Sequence, residues 1–255
     1  MSGRDDREGR REERLRAEEQ TGADERRQRL IKIGSAAVFL AIVAVAVLIV
    51  VSSGNGGGGD ASNVKDASAV NRLLNGIPQD ELVLGKPSAK VAVVEFGDLQ
   101  CPVCKGYSEE VLPAVIESRV RGGEATLEFR NYTIIGPESI PAGAAAVAAG
   151  RQGRGWEFVE LFYRNQGAED SGYVTDGFLT AIAEGAGVPD IARWDKERKD
   201  KAVVREVEET TAEARSLGFE GTPSFAVEGP GTKGLEPIGT PGSIGALEEA
   251  ISNAG

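Results

Sequence analysis

Residues 91–104 read VAVVEFGDLQCPVC, and this stretch decides the fold. Its first half, Val91–Phe96, is an apolar, β-branched run of strand length, which predicts a buried strand. Pro102 suits the first turn of a helix, where its missing N–H leaves no hydrogen bond unmade. Cys101 and Cys104 are therefore expected on the turn where the strand passes into a helix.

The chain has only two cysteines, three positions apart, and no histidine. A zinc finger needs four Cys or His ligands, and Cys–His or Ser–His–Asp nucleophiles need an imidazole base, so the chain alone can assemble none of these. Its Asp and Glu residues show no ordered ligand spacing. We therefore expect no metal and no cofactor. The net charge of −11 argues against nucleic-acid binding.

A cysteine pair that opens a helix has a specific chemical use. Backbone N–H groups and the helix dipole favour a thiolate at Cys101, and such thiols have pKa values of roughly 3.5 to 7.5. Cys101 would attack or be attacked, and Cys104 would resolve the mixed disulfide. A static disulfide is one alternative, although so short a loop restricts little chain entropy. Metal ligation is another, but it lacks partner ligands.

The remaining elements alternate between strand and helix patterns, with about eighty helical residues inserted between strands. We expect further strands at 125–135, 224–227 and 235–238, and helices at 64–74, 102–119, 142–149, 155–165, 176–186, 190–217 and 243–252. The inserted helices carry aromatic residues that favour a core over a substrate groove: Trp156, Phe158, Phe162, Phe178 and Trp194.

The N-terminal third divides by charge. Residues 1–32 contain ten basic and nine acidic side chains, which is typical of a disordered tail. Residues 33–51 carry no charge and would span about 28 Å as a helix, close to the roughly 30 Å of a bilayer core. This pattern predicts a transmembrane signal-anchor. A cleaved signal peptide is the alternative, but no clear cleavage site follows.

Basic residues crowd the N-terminal side of the apolar segment, whereas Ser52–Gly59 is uncharged. The positive-inside rule therefore keeps the N-terminus in the cytoplasm, which predicts a single-pass protein of the cell membrane with its C-terminal part outside the cytoplasm. Residues 52–75 are interpreted as a flexible tether with a short helix, and residues 76–255 as the folded domain.

Two blocks of sequence resemble the DsbA-like branch of the thioredoxin superfamily, and the match covers about residues 76–254. They are VVEFGDLQCPVC at 93–104 and GTPSF at 221–225, the second placed after the helical insertion and just before a strand. The resemblance implies an α/β thioredoxin-like fold with a helical insertion at about 139–217. It also implies a protein thiol–disulfide oxidoreductase with a redox-active Cys101–Cys104 disulfide.

The resemblance further implies that Pro223 is cis and lies beside the cysteines. Thr222 would offer its backbone to a substrate peptide as an added strand, with Pro102 and Val103 as further substrate contacts. Taken alone, Thr222-Pro223 would be an ordinary proline before a strand.

Glu95 lies six residues before Cys101, where the family keeps a buried acid that exchanges a proton with the second cysteine. Burial among apolar neighbours would raise its pKa, which suits a proton shuttle. The alternative is a side chain that points to solvent. Asp98 is interpreted as a loop or turn residue.

Strongly oxidising members of the family often have histidine between the cysteines, whereas Val103 supplies no positive charge. We therefore expect the pKa of Cys101 to be lowered less than in those members. The predicted function is disulfide donation to exported polypeptides, by a monomer that works with a membrane redox partner. The alternatives are a reductase or isomerase of the same fold, and a non-catalytic, tethered peptide-binding domain.

Overall fold

A computed structural model describes residues 64–255. This part of the chain is an α/β domain whose elements follow in the order α1 (Ala67–Leu74), β1 (Gln79–Asp80), β2 (Val83–Leu84), β3 (Val91–Gly97), α2 (Pro102–Glu110), α3 (Leu112–Val115), a π-helical turn (Ile116–Val120), β4 (Ala125–Asn131), α4 (Ser139–Gly150), α5 (Gly155–Arg164), α6 (Asp176–Gly185), α7 (Ile191–Glu197), α8 (Lys201–Ser216), β5 (Ser224–Glu228), β6 (Glu236–Gly239) and α9 (Ile244–Ala254).

The six strands form one sheet in the order β1-β2-β4-β3-β5-β6. The pair β3–β4 is parallel, and the other pairs are antiparallel. The predicted strand at Val91–Phe96 is thus a central strand, paired on both edges and buried over nearly its whole length. Its carboxyl end leads directly into the cysteine motif.

The helical insertion packs its own core against the sheet. Helix α4 is rich in alanine and almost entirely buried, which lets α5, α7 and α8 approach it closely. Four of the aromatic residues named above are fully buried and Phe178 is packed against them, so they belong to the core: Trp156, Phe158, Phe162 and Trp194.

Three elements differ from the sequence prediction. The run expected as one helix over 190–217 is two, because the side chain of Asp200 caps a new helix by accepting a hydrogen bond from the Ala202 N–H. Strand β4 ends at Asn131 instead of 135, because the next backbone N–H groups turn toward Asp98. The two-residue strands β1 and β2 were not predicted.

Helix α1 is part of the folded domain. Its residues Val70 and Leu74 are buried in the main core, so the folded part begins before the residue 75 expected from the sequence. None of the helices within residues 64–255 combines the length and the apolar character needed to cross a bilayer. The predicted transmembrane segment at 33–51 and the charged tail at 1–32 lie outside the described residues.

Candidate active site

The turn between β3 and α2 presents Cys101 at the first position of a helix. Cys101 is the N-cap of α2, with an extended backbone, and Pro102 follows in the first turn. The Cys101 N–H donates to the carbonyl of Asp98 at 2.9 Å. From the helical insertion, the side-chain amide of Gln166 donates to the carbonyls of Leu99 and Cys101. Backbone contacts on both sides therefore fix the motif.

The two thiols of the motif are unbonded in this structure, so the site is in its dithiol form. Cys101 is 4% exposed and Cys104 is fully buried. The pKa of Cys101 is lowered to about 6, mainly by a hydrogen bond with the Cys104 thiol and further by Thr222 and the N–H groups of Val103 and Cys104, whereas burial opposes the shift. Burial raises the pKa of Cys104 well above its ordinary value. Only Cys101 is thus a thiolate at neutral pH.

The loop before β5 closes the site from the other side. The Thr222–Pro223 peptide bond is cis, as the resemblance implied, and the Cys101 sulfur lies 3.5 Å from the Thr222 carbonyl oxygen. The hydroxyl of Thr240 donates to the Pro223 carbonyl and ties this loop to the end of β6. The structure therefore brings Thr222 and Pro223 to the cysteine pair.

Glu95 is a fully buried acid beneath the active-site helix α2. Its neighbours in register on β4 and β5 are Phe129 and Phe225, and Tyr107 of α2 stacks on Phe225 at 4.8 Å. Neither of its carboxylate oxygens has a hydrogen-bond partner among residues 64–255. Burial raises the pKa of Glu95 to about 8, with smaller contributions from the charges of Glu160 and Cys101. Glu95 therefore points inward and is mostly protonated at neutral pH.

The two residues between the cysteines lie at the surface. Both Pro102 and Val103 are exposed, and Val103, at 60%, is one of only two large hydrophobic side chains that are exposed within residues 64–255. The other is Ile134. The pKa of about 6 for Cys101 lies in the upper part of the range of roughly 3.5 to 7.5 for helix-opening thiols, the direction expected from an uncharged Val103.

Comparison with known proteins gives consistent relatives. A thioredoxin family model matches residues 78–238. The chain is 33% identical over 149 residues to the probable disulfide bond formation protein D of Bacillus cereus, a match that covers 57% of this chain and 69% of that protein.

The chain belongs to the thioredoxin family.

Solved structures agree with this assignment. Oxidised BdbD from Bacillus subtilis superposes with a TM-score of 0.60 at 22% identity, over 70% of this chain and 97% of that one. A thioredoxin-like oxidoreductase from Silicibacter pomeroyi gives a TM-score of 0.54 at 29% identity, over 74% and 96% of the two chains. This thioredoxin-family chain is a DsbA-like protein thiol–disulfide oxidoreductase.

Asp98 has a larger part in this thioredoxin-family site than a loop residue. It is fully buried, and its carboxylate accepts hydrogen bonds from the N–H groups of Gln100, Ile134 and Ile135. It thereby holds the turn before Cys101 against the loop after β4. The signal was present in the sequence, because a carboxylate between a buried strand and a buried helix must find donors.

Gln100 extends the same network toward the helical insertion. Its buried amide donates to the Ser139 hydroxyl at 2.9 Å and accepts from the Asp170 N–H at 3.0 Å. No short-range pattern foretold these partners, since they lie 39 and 70 residues away. Asp98 and Gln100 together join the cysteine motif to both halves of the domain.

Proposed function

We propose that this oxidoreductase is a disulfide donor, an oxidase that transfers the Cys101–Cys104 disulfide to exported polypeptides. The observation that carries the proposal is the lowered pKa of Cys101, about 6, at the start of α2. Whatever stabilises the Cys101 thiolate stabilises the dithiol form relative to the disulfide, and this makes the disulfide a stronger oxidant.

The size of this effect follows from linkage. A shift of the Cys101 pKa to about 6 stabilises the dithiol form at pH 7 by about 1.4 kcal/mol, which is about 30 mV for a two-electron couple. The gain is modest, in keeping with the absence of a positive charge at Val103. The name of the Bacillus cereus relative, a disulfide bond formation protein, supports the same direction.

The proposed reaction has two exchange steps. A substrate thiolate attacks the sulfur of Cys101 in the oxidised protein, the Cys101–Cys104 bond breaks, and Cys104 leaves as a thiolate that takes the proton of Glu95. A second substrate thiolate then attacks the substrate sulfur of the mixed disulfide and releases Cys101 as a thiolate. The substrate is oxidised by two electrons and the protein is reduced by two.

The surface around the motif suits an extended polypeptide. Val103 and Ile134 offer apolar contacts beside the cysteines, and the backbone of Thr222 offers hydrogen-bonding groups to an added strand. We assign substrate contacts to Thr222, Pro102 and Val103. Pro223 would keep the strand-like loop against Cys101, and Glu95 would serve as proton donor to Cys104.

The proposed location is the cell membrane, with residues 1–32 in the cytoplasm, residues 33–51 as an uncleaved anchor, and residues 52–75 as a tether with a short helix. The domain at 76–255 would then face the compartment in which disulfides persist. A membrane redox partner would reoxidise the dithiol. Protease treatment of intact cells should digest the domain while leaving the N-terminal tail intact; a protected domain would contradict this orientation.

Disulfide transfer tests the proposed activity on the full chain. The oxidised protein, mixed with reduced, unfolded ribonuclease, should restore ribonuclease activity as its own disulfide is consumed. Cys101→Ser is the matched control and should transfer nothing. Efficient insulin reduction together with failure to oxidise ribonuclease would favour a reductase, and inactivity in both assays would favour a binding domain.

A further inference from the structure

A second buried acid, Glu160 on α5, lies behind the active-site helix. Its side chain is fully buried, and its carboxylate accepts hydrogen bonds from the Ser108 hydroxyl at 2.8 Å and from the Arg164 guanidinium at 3.4 Å. Ser108 follows Cys104 by four residues on α2, so both occupy the same, buried face of that helix. Glu160 is therefore fixed to the inner side of the redox helix.

The same helix α5 also reaches the surroundings of Glu95. Tyr163, one turn after Glu160, packs edge-on against Phe129, the neighbour of Glu95 in register. A side chain at Gly97 would meet both the Tyr163 hydroxyl and a carboxylate oxygen of Glu95 within 3.3 Å. The two acids thus belong to one buried region between α2, α5 and the sheet.

We propose that Glu160 is a positioning residue of the redox site: its carboxylate, held by Ser108 and Arg164, keeps Glu95 protonated so that a proton is available to Cys104 when the disulfide opens. This inference rests on the proposed role of Glu95. It assigns to α5 an electrostatic function in addition to its packing.

The charge states of the neighbouring groups support this role. Burial raises the pKa of Glu160 to about 6, while Ser108 and Arg164 oppose the shift and Glu109 adds to it, so Glu160 is largely ionised at pH 7. After burial, the charge of Glu160 is the largest contribution to the raised pKa of Glu95. Like charges in a shared site keep one carboxylic acid neutral.

Glu160 matters most in the oxidised protein. The other charge that raises the pKa of Glu95 is the thiolate of Cys101, and a disulfide-bonded Cys101 carries no charge. The remaining titratable neighbours, Tyr107 and Tyr163, have raised pKa values and are neutral. Before a substrate attacks, Glu160 is therefore the charged group that keeps the proton on Glu95.

The test compares oxidised full-length wild-type protein with Glu160→Gln, which retains the hydrogen bonds to neighbours but removes the charge. Carboxyl-labelled glutamate followed by NMR should show the Glu95 titration moved downward by about one pH unit. The rate of reduction by a dithiol above pH 7 should fall several-fold, with the pH profile displaced in the same direction. Glu110→Gln, which removes an exposed carboxylate from the same helix, is the control and should leave both unchanged.

A Glu95 titration in Glu160→Gln that superposes on that of the wild type would overturn the inference. Should Glu160→Gln fail to fold, the wild-type protein supplies the second measurement, in which the Glu95 carbon resonance should respond to the ionisation of Glu160 near pH 6 as well as to its own. Absence of that first response would equally overturn it. Because the NMR readout does not depend on activity, it stays decisive even if the protein proves unable to oxidise ribonuclease.

Discussion

The sulfur of Cys101 lies 3.5 Å from the carbonyl oxygen of Thr222, although the two residues are 121 positions apart. The contact exists because β5 pairs with β3 in the centre of the sheet, so that the loop before β5 lies beside the turn after β3. The redox centre is consequently formed by the meeting of two loops, one from each half of the domain.

Removal of the Thr222 hydroxyl should weaken the stabilisation of the Cys101 thiolate. Thr222→Val keeps the shape of the side chain, and we expect the pKa of Cys101 to rise from about 6 by about half to one unit. Thiolate absorbance as a function of pH measures the change. Thr133→Val, whose hydroxyl pairs with Thr211, is the control, and an identical titration in both variants would contradict the assignment.

A positive charge between the cysteines should have the opposite effect. In Val103→His, an imidazolium next to Cys101 is expected to lower the pKa of the Cys101 thiol by about half to one unit, because opposite charges favour the ionised form. The disulfide should become correspondingly more oxidising against glutathione. Val103→Gln provides a neutral control of similar size. If both variants gave the same pKa, charge at this position would not set the oxidising power.

The buried acid should make stability depend on pH. The folded-state pKa of Glu95, about 8, lies above its model value of 4.5, so its stabilising contribution is complete below pH 4.5 and is lost as the pH rises toward 8. Glu95→Gln lacks this loss, and its stability relative to wild type should rise by about 2 kcal/mol between pH 5 and pH 7.

Urea denaturation at both pH values measures the effect, with Glu110→Gln as the exposed control. A difference between Glu95→Gln and wild type that stays constant with pH would mean that the Glu95 carboxyl is ionised, or solvated, in the native protein.

Loss of the Asp98 carboxylate should loosen the loop after β4. Asp98→Ala leaves the N–H groups of Gln100, Ile134 and Ile135 without their acceptor, and we expect destabilisation by about 2 to 4 kcal/mol, since each unmet buried donor costs about 1 to 3 kcal/mol. Amide hydrogen exchange should show faster exchange at Ile134 and Ile135. Unchanged exchange rates at these two residues would refute the role given to Asp98.

The sequence predicted local elements well and long-range partners poorly. The strand before Cys101 and the helix after it follow from a β-branched run and a well-placed proline, which are local signals. The pairing of Gln100 with Ser139, and of Glu160 with Ser108, depends on how the helical insertion folds back onto α2. No periodicity encodes such contacts, so Glu160 was not recognised as part of the site.

Two features needed the family resemblance rather than the residues. Thr222-Pro223 is an unremarkable dipeptide until β5 is known to pair with β3. Glu95 could have faced solvent, because strand alternation does not distinguish the two faces of a strand buried on both. Its burial follows from the helices that cover the sheet, which include α2 and α5.

The central claim, that the protein is a disulfide donor, is tested most directly by the equilibrium reduction potential of the Cys101–Cys104 pair against glutathione. We predict a value between about −200 mV and about −120 mV, on the oxidising side of the thioredoxin-fold range. A value at or below about −270 mV, that of thioredoxin, would contradict the claim and would make the protein a reductase.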